Sequence, residues 1–199
     1  MANAKSNVVS ARYEFRVFSL DLDKQMGLLS NAGEFLERER RTDIYFLGKD
    51  ISPSFKLRNC QSLDLKIMRR KAEGYELWAP GGVVELPANR TEIELAFEDT
   101  SSFPPFLQNR MYDRTDIIKA FKKFGHAAVP VRKLRIRLRI HEVLAEITRA
   151  TPQSSPPSWT IAIEGSDRET LENCRQWLQL GDARNVSYPE WLSRVAPPG

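Results

Sequence analysis

Residues that bind soft metals or form disulfides are scarce in this chain of 199 residues, which has two cysteines and two histidines. Cys60 and Cys174 lie far apart in the sequence, and His126 and His141 stand in none of the spacings typical of zinc ligands. These scarcities argue against a disulfide scaffold and against zinc chemistry. We expect both cysteines to be reduced packing residues of a cytoplasmic protein.

Long apolar runs are also missing. No segment approaches the roughly 20 residues that a membrane-spanning helix needs, and residues 1–7 lack the hydrophobic segment of a secretory signal. Apolar residues form 41% and charged residues 28% of the chain, with a net charge of +4. This composition is typical of a globular protein with no membrane partner. The mild positive charge favours anionic partners without indicating a nucleic-acid-binding arm.

The most informative segment that is present covers residues 131–140. From Lys133 to Ile140 its cationic and apolar side chains alternate strictly, which predicts a strand with one apolar face and one charged face. Four neighbouring cations on one face repel each other, so cross-strand carboxylates, bulk water or a bound anion must offset them. The apolar set is Leu134, Ile136, Leu138 and Ile140, and the cationic set is Lys133, Arg135, Arg137 and Arg139.

Other segments repeat this period of two. We predict strands within 11–18, 42–46, 55–69, 75–78, 91–95, 144–148 and 159–164, with a break at Pro80-Gly81-Gly82. Helical spacing predicts helices over about 22–40, over 113–124, after a Ser166–Glu169 capping box, and over 187–195. Strands therefore outnumber helices about two to one in the predicted domain.

The apolar strand faces provide a surface on which the helices can pack, so the charged faces must point away from the helices. If the sheet curls, those charged faces point toward each other. We predict an α+β protein with one domain over residues 1–199 and a core over about 11–195. Its mainly antiparallel β-barrel, closed or curled, has about eight strands, a charged interior and three or four helices outside. An open sheet whose charged face is solvated is the alternative.

The order of the motifs resembles the CYTH superfamily, the triphosphate tunnel metalloenzymes. That superfamily includes thiamine triphosphatases, inorganic triphosphatases, class IV-type adenylate cyclases and, more distantly, RNA triphosphatases. The resemblance implies a β-barrel tunnel that binds a triphosphate together with Mg²⁺ or Mn²⁺. The matching segments are Arg12-Tyr-Glu14-Phe-Arg16 for the family's Glu-x-Glu-x-Lys, Asp43-Ile-Tyr45-Phe46, Leu57-Arg58 with Leu63-Asp-Leu65-Lys66, the 135–139 arginines, Glu146-Ile-Thr148, Ile161-Ala-Ile163-Glu164, and residues 187–192.

Two departures from the family pattern affect the acidic half of the site. Arg12 stands at the first carboxylate position of the amino-terminal motif, and Ala162 precedes Glu164 where the family often has a second glutamate. Hard divalent cations need several oxygen ligands, so these changes weaken the expected metal site. Glu92 and Glu94, on a predicted strand, are candidates to compensate. The basic half of the site is complete.

The resemblance assigns candidate roles but no catalytic residue. Lys133 and Arg139 lie near strand ends, which often face solvent, and Tyr45 is interpreted as a core or rim aromatic. The candidate phosphate-binding residues are Arg16, Lys56, Arg58, Lys66, Arg135, Arg137 and Arg139. The candidate metal ligands are Glu14, Glu146 and Glu164.

Three functions remain open at this point. The first is a metal-dependent triphosphatase or nucleotide-converting enzyme acting on a small triphosphate or polyphosphate. The second is a non-catalytic polyphosphate or nucleotide binder that has lost part of the metal site. The third is an RNA-binding protein that uses a basic surface, which rests on charge alone because no RNP-like aromatic motif is present.

Overall fold

The computed structural model describes residues 11–97, 103–105 and 108–196. Ten strands and five helices are found in these residues. The strands are β1 (Arg12–Ser19), β2 (Glu34–Leu47), β3 (Ser54–Arg58), β4 (Ser62–Ala72), β5 (Tyr75–Glu85), β6 (Ala88–Asn89), β7 (Met111–Tyr112), β8 (Ala127–Ile140), β9 (Val143–Pro152) and β10 (Ser158–Gly165). The helices are α1 (Asp23–Ala32), α2 (Arg90–Ala96), α3 (Arg114–Lys123), α4 (Arg168–Trp177) and α5 (Tyr188–Val195).

Eight of the strands form a closed antiparallel barrel in the order β1-β10-β9-β8-β2-β3-β4-β5, while β6 and β7 form a separate two-stranded sheet. The ring closes where β1 pairs with β5 over Arg12–Glu14. The predicted closed barrel with helices outside is therefore confirmed, although five helices rather than three or four are present among the described residues. No described helix has the length and hydropathy needed to cross a bilayer.

The alternation of side chains separates a charged interior from an apolar exterior. Outward-facing residues form two cores beneath helices α1 to α4. The first core includes Leu29 of α1 and Leu171 of α4, and the second includes Ile93 of α2 and Phe121 of α3. A third cluster joins Trp191 of α5 to inward-facing residues such as Tyr45, so α5 packs against the inner face while most other inward-facing positions are polar.

The predicted helix over 22–40 is wrong in its second half. Helix α1 ends at Ala32, and residues 34–40 begin the long strand β2. The apolar residues that suggested a continuing helical stripe do not share a buried face, since Phe35 is 61% exposed. Every second side chain of this segment, at Glu37, Glu39 and Arg41, faces the barrel interior. These residues pair with the cationic positions of the neighbouring strand β8.

Three smaller sequence predictions are also corrected. Residues 91–95 lie in helix α2, because Asn89 and Glu92 form a capping box at its start, so Glu92 and Glu94 do not lie on a strand. Strand β5 continues through Pro80-Gly81-Gly82 to Glu85, with a register shift opposite Leu65 and Lys66. Helix α4 is capped by Asp167, which accepts a hydrogen bond from the Thr170 amide, rather than by Ser166.

Candidate anion-binding tunnel

A cavity of about 240 Å³ lies inside the barrel. All eight strands of the barrel and the start of α5 contribute side chains to its wall. The cations of the wall outnumber its carboxylates. The cationic residues are Arg16, Arg41, Lys56, Arg58, Lys66, Lys133, Arg135 and Arg137, and the carboxylates are Glu14, Glu146 and Glu164.

Arg16 is held in a fixed orientation on one side of this wall. Its Nε donates to Glu14 Oε1 at 2.9 Å and its Nη1 donates to Glu146 Oε1 at 3.0 Å. The ring of Tyr188 lies 4.8 Å from the guanidinium carbon. Burial would raise the pKa of Glu14, but the charges of Arg16 and Lys66 hold that pKa below its ordinary value. Glu14 therefore remains a carboxylate that neutralises these cations.

Arg135 lies at the centre of the arginine row on β8. Its terminal nitrogens contact Glu37, Glu39 and Glu146, at 2.8, 2.5 and 3.2 Å. Its buried Nε has no hydrogen-bond partner among the described residues. Arg137, the next residue on the same face, is half-buried, and its one ion pair with a described residue is to Glu37 at 3.2 Å. A buried guanidinium with an unsatisfied N–H still has hydrogen-bonding capacity for an anion.

Lys133 occupies an enclosed position at one end of the cavity. Its Nζ donates to Tyr45 Oη at 2.7 Å, lies 3.0 Å from Asp43 Oδ2, and sits 3.7 Å from the centre of the Tyr188 ring. Arg41 Nε lies 3.1 Å from the other oxygen of Asp43. Burial lowers the pKa of Lys133 to about 7, although the negative charge of Asp43 opposes this shift.

A second group of cations lies on β3 and β4. Asp64 lies between Lys56, whose Nζ is 3.4 Å away, and Arg58, which donates a hydrogen bond to it. Burial lowers the pKa of Lys56 against the opposing charge of Asp64. Lys66 Nζ lies 3.5 Å from Glu14 Oε2, and its side chain is 37% exposed. Arg58 and Lys66 are therefore the cations of this group with the most contact with solvent.

The structure brings together nine of the ten site residues selected from the sequence. The exception is Arg139, which is exposed, does not line the cavity and lies 3.8 Å from the exposed Glu34. Arg41, Lys133, Tyr45 and Tyr188 also line the cavity. The alternation over residues 37–45 was the signal for Arg41, but the predicted helix over 22–40 obscured it. Tyr45 lay in a predicted strand and was interpreted as a core or rim aromatic.

The acidic residues do not fit a resident divalent cation. Such a cation needs several carboxylate oxygens facing it, whereas both oxygens of Glu14 and both of Glu146 face cationic side chains. Glu164 lines the cavity without an ion pair in the described part of the chain. Within residues 11–97, 103–105 and 108–196, no three acidic, histidine or cysteine side chains are grouped to hold a metal.

Comparison with solved structures identifies the fold. A conserved hypothetical protein from Pyrococcus furiosus aligns with a TM-score of 0.58 at 18% identity, covering 90% of this chain and 98% of that one. PH1012 from Pyrococcus horikoshii aligns with a TM-score of 0.56 at 15% identity, and the alignment covers 90% of this chain and 98% of PH1012. HpAC1 from Hippeastrum aligns with a TM-score of 0.52 at 13% identity, and the alignment covers 92% of this chain and 95% of HpAC1. That protein is described as an adenylyl cyclase candidate with a dominant triphosphatase activity. The sequence matches no family model and no curated protein.

These identities show the fold alone. The chain has the CYTH-like tunnel fold, as the order of its motifs indicated.

Proposed function

We propose that this chain, built on the CYTH-like tunnel fold, binds a triphosphate or short polyphosphate inside the barrel without a resident metal ion. The observation that carries the proposal is the convergence of eight basic side chains on one cavity inside the barrel. Guanidinium groups bind phosphate oxygens bidentately, and their attraction to an anion is strengthened where water is excluded. The triphosphatase activity of HpAC1 supports the same class of ligand.

The arrangement of the interior carboxylates supports binding without metal. Glu14 and Glu146 hold Arg16 and Arg135 in place, so the arginines are already oriented before a ligand enters. A ligand phosphate would add to these cations at Arg135 Nε, Arg137, Lys66 and Arg58. In this proposal the protein's own side chains supply the positive charge that divalent ions supply in a metal-dependent site. The free thiols of Cys60 and Cys174 agree with the cytoplasmic location proposed from the sequence.

Hydrolysis is the second candidate function, and Glu164 is the observation that favours it. Its carboxylate lines the cavity and forms no ion pair in the described residues, so it has free oxygens with which to accept a proton from an attacking water. Any Mg²⁺ or Mn²⁺ would then enter on the phosphates of the substrate. If this candidate is right, Glu164→Gln abolishes phosphate release while ligand binding is retained.

Thermal unfolding tests the proposal. The protein is unfolded with tripolyphosphate, ATP or thiamine triphosphate, each in EDTA and in Mg²⁺ or Mn²⁺, and released phosphate is measured. A ligand present at about 100 times its dissociation constant adds about 2.7 kcal/mol of stability. We expect a stabilising shift in EDTA. A shift that requires metal would overturn binding without a resident ion, and no shift with any of the three ligands would overturn the proposal as a whole.

Two arginines on the same strand provide a matched pair of variants. Arg135→Gln removes a cavity guanidinium whose hydrogen bonds to a charged ligand are worth about 1.5–3 kcal/mol, so tripolyphosphate binding weakens roughly 10- to 100-fold. Arg139→Gln removes the same group outside the cavity and leaves the dissociation constant unchanged. Equal effects of the two variants would mean that binding follows overall charge rather than the tunnel.

A further inference from the structure

A second basic region lies on the outside of the barrel, where β2, β8 and β9 run side by side. The register places Arg40 opposite Leu134 and Leu134 opposite Arg149, while Arg132 lies two residues before Leu134. These three arginines therefore surround one half-buried leucine on the outer face of the sheet. Arg114, the first residue of α3, lines the same depression. We call this region of about 860 Å³ the outer arginine cleft.

The four exposed arginines of this cleft are not neutralised by ion pairs within the described residues, whereas its buried Arg41 and Lys133 are paired with Asp43. Arg40, Arg114, Arg132 and Arg149 are all exposed, and none forms an ion pair in the part of the chain that the structure describes. The described residues that line the cleft include no aspartate or glutamate. The tunnel differs in this respect, because its arginines are paired with glutamates. Like charges held this close destabilise one another unless an anion or solvent screens them.

The outer arginine cleft adjoins the tunnel. Arg41 and Lys133 line both spaces and, with Asp43, form the buried layer between them. A polyanion held in the cleft therefore lies over the same arginine-rich side of the barrel that lines the interior. The residues around it suit phosphate oxygens, since guanidinium groups bind them bidentately.

The composition of the cleft discriminates between kinds of phosphate chain. Single-stranded nucleic acids are held by cationic grooves that also carry aromatic side chains for base stacking. The cleft is lined by arginines, small polar residues, a leucine and a proline, with no aromatic side chain among the described residues. It thus offers many contacts for phosphates and no aromatic side chain on which bases could stack.

We propose that the outer arginine cleft is a second anion site, which binds a stretch of linear inorganic polyphosphate outside the tunnel. This inference goes beyond the proposed tunnel function and does not depend on it, because its four exposed arginines, Arg40, Arg114, Arg132 and Arg149, do not line the tunnel cavity. The protein then binds short polyphosphates at one site and long chains at a second, adjacent one.

The test measures binding of long-chain polyphosphate and of tripolyphosphate to the full chain at several salt concentrations. The outer variant is Arg40→Ser/Arg132→Ser/Arg149→Ser. Its control, Lys24→Ser/Arg69→Ser/Arg70→Ser, removes the same charge from exposed cations that also form no ion pair among the described residues. All six substitutions are at exposed positions, and circular dichroism with thermal unfolding checks that both variants fold.

We expect the outer variant to bind long-chain polyphosphate at least 10-fold more weakly. The slope of the logarithm of its binding constant against the logarithm of the salt concentration should become shallower by about 2 to 3, which is about one for each lost phosphate contact. Tripolyphosphate binding should be unchanged in this variant, and the control should match the unaltered protein. Equal losses in the outer variant and the control would overturn the inference, as would tighter binding of single-stranded RNA through the same three arginines. If the outer variant keeps its affinity for long-chain polyphosphate while Arg135→Gln loses tripolyphosphate binding, the inference is overturned and the tunnel proposal stands by itself.

Discussion

At the scale of single residues, Lys133 is the group whose charge depends most on its surroundings. Its ammonium faces Asp43 and Tyr45 of β2 and Tyr188 of α5, and Lys56 of β3, Arg41 and Glu146 also act on it electrostatically. Burial lowers its pKa from 10.5 to about 7. The side chain is therefore close to half protonated at neutral pH, while the arginines beside it stay charged.

This gives a prediction for the pH dependence of binding. A bound polyanion favours the protonated form of Lys133, so binding takes up a proton wherever the free protein has lost it. Above pH 7 the affinity for tripolyphosphate should fall, becoming roughly 10-fold weaker between pH 6.5 and 8.5. Calorimetry in two buffers with different ionisation enthalpies measures both the affinity and the proton uptake.

Lys133→Met is the control for this prediction. Asp43 keeps Arg41 and the Asn59 amide as partners in this variant, so the buried carboxylate remains satisfied. The variant should lack the proton uptake while retaining any titration that belongs to the ligand itself. The same pH profile in both proteins would show that Lys133 does not titrate with binding.

The residue scale also shows what the sequence could and could not predict. Alternation alone placed Arg135 and Arg137 on one charged face of a strand, because side-chain direction in a strand is a local property. That this face lines a barrel followed only from the predicted curling of the sheet and from the family resemblance. The pairing of Lys133 with Asp43 joins residues 90 positions apart and depends on β2 lying beside β8. The local sequence pattern carries no information about which strands become neighbours, so the contact between Lys133 and Asp43 was not predicted. For the same reason Lys133 was not included among the candidate phosphate-binding residues.

At the scale of elements, the contact between β5 and α2 depends on a glycine. Gly82 has φ +144°, and a Cβ there would lie 2.1 Å from the carbonyl oxygen of Ala96. That oxygen belongs to the backbone of α2, so it cannot move aside as the end of a flexible side chain could. The strand can continue past Pro80 toward Glu85 because this position has no side chain.

Gly82→Ala should therefore lower the free energy of unfolding by roughly 2–4 kcal/mol, from backbone strain together with the clash. Gly27→Ala is the matched control, since a Cβ at Gly27, inside α1, meets nothing within 4 Å. That control should raise stability by about 0.5–1 kcal/mol. Urea unfolding measures both values, and equal stabilities for the two variants would contradict the role given to Gly82.

The helices and strands also show where period-based prediction fails. Five strands were identified from the sequence because apolar and polar side chains alternate over their predicted lengths: β3, β4, β8, β9 and β10. In the segment 22–40, Met26, Leu29 and Leu36 fit helical spacing, so the change from helix to strand after Gly33 was missed. Residues 91–95 alternate like a strand, yet a local capping box makes them a helix. A short window can satisfy both periods, and tertiary contacts then decide the structure.

At the scale of the whole molecule, the interior is a network of opposite charges that only a folded chain assembles. Burial would raise the pKa values of Glu146 and Asp43, but the cations around them outweigh burial and hold both pKa values well below the ordinary range. The unfolded chain therefore binds protons in acid that the folded chain does not. Because the unfolded chain binds more protons in acid, the free energy of unfolding must rise as the pH is raised through the acidic range and must fall as the pH is lowered.

We predict that the free energy of unfolding changes little between pH 7 and 5. It should then fall by on the order of 2 kcal/mol for each such carboxyl as the pH is lowered below about 4.5. Denaturant unfolding at a series of pH values measures this loss. Glu146→Gln should show a smaller loss between pH 7 and 3 than the unaltered protein, because it has one fewer carboxyl to protonate. Stability that is constant down to pH 3 would contradict the network.

The closed ring of strands has a consequence for how copies of this chain can associate. Each of the eight barrel strands has a hydrogen-bonded neighbour on both sides, including β1 and β5, which complete the ring. An open sheet exposes unpaired backbone groups at its first and last strands, where another polypeptide can add a strand and begin aggregation. This barrel has no first or last strand, so its arginine-rich sheet is protected from growing into a larger one.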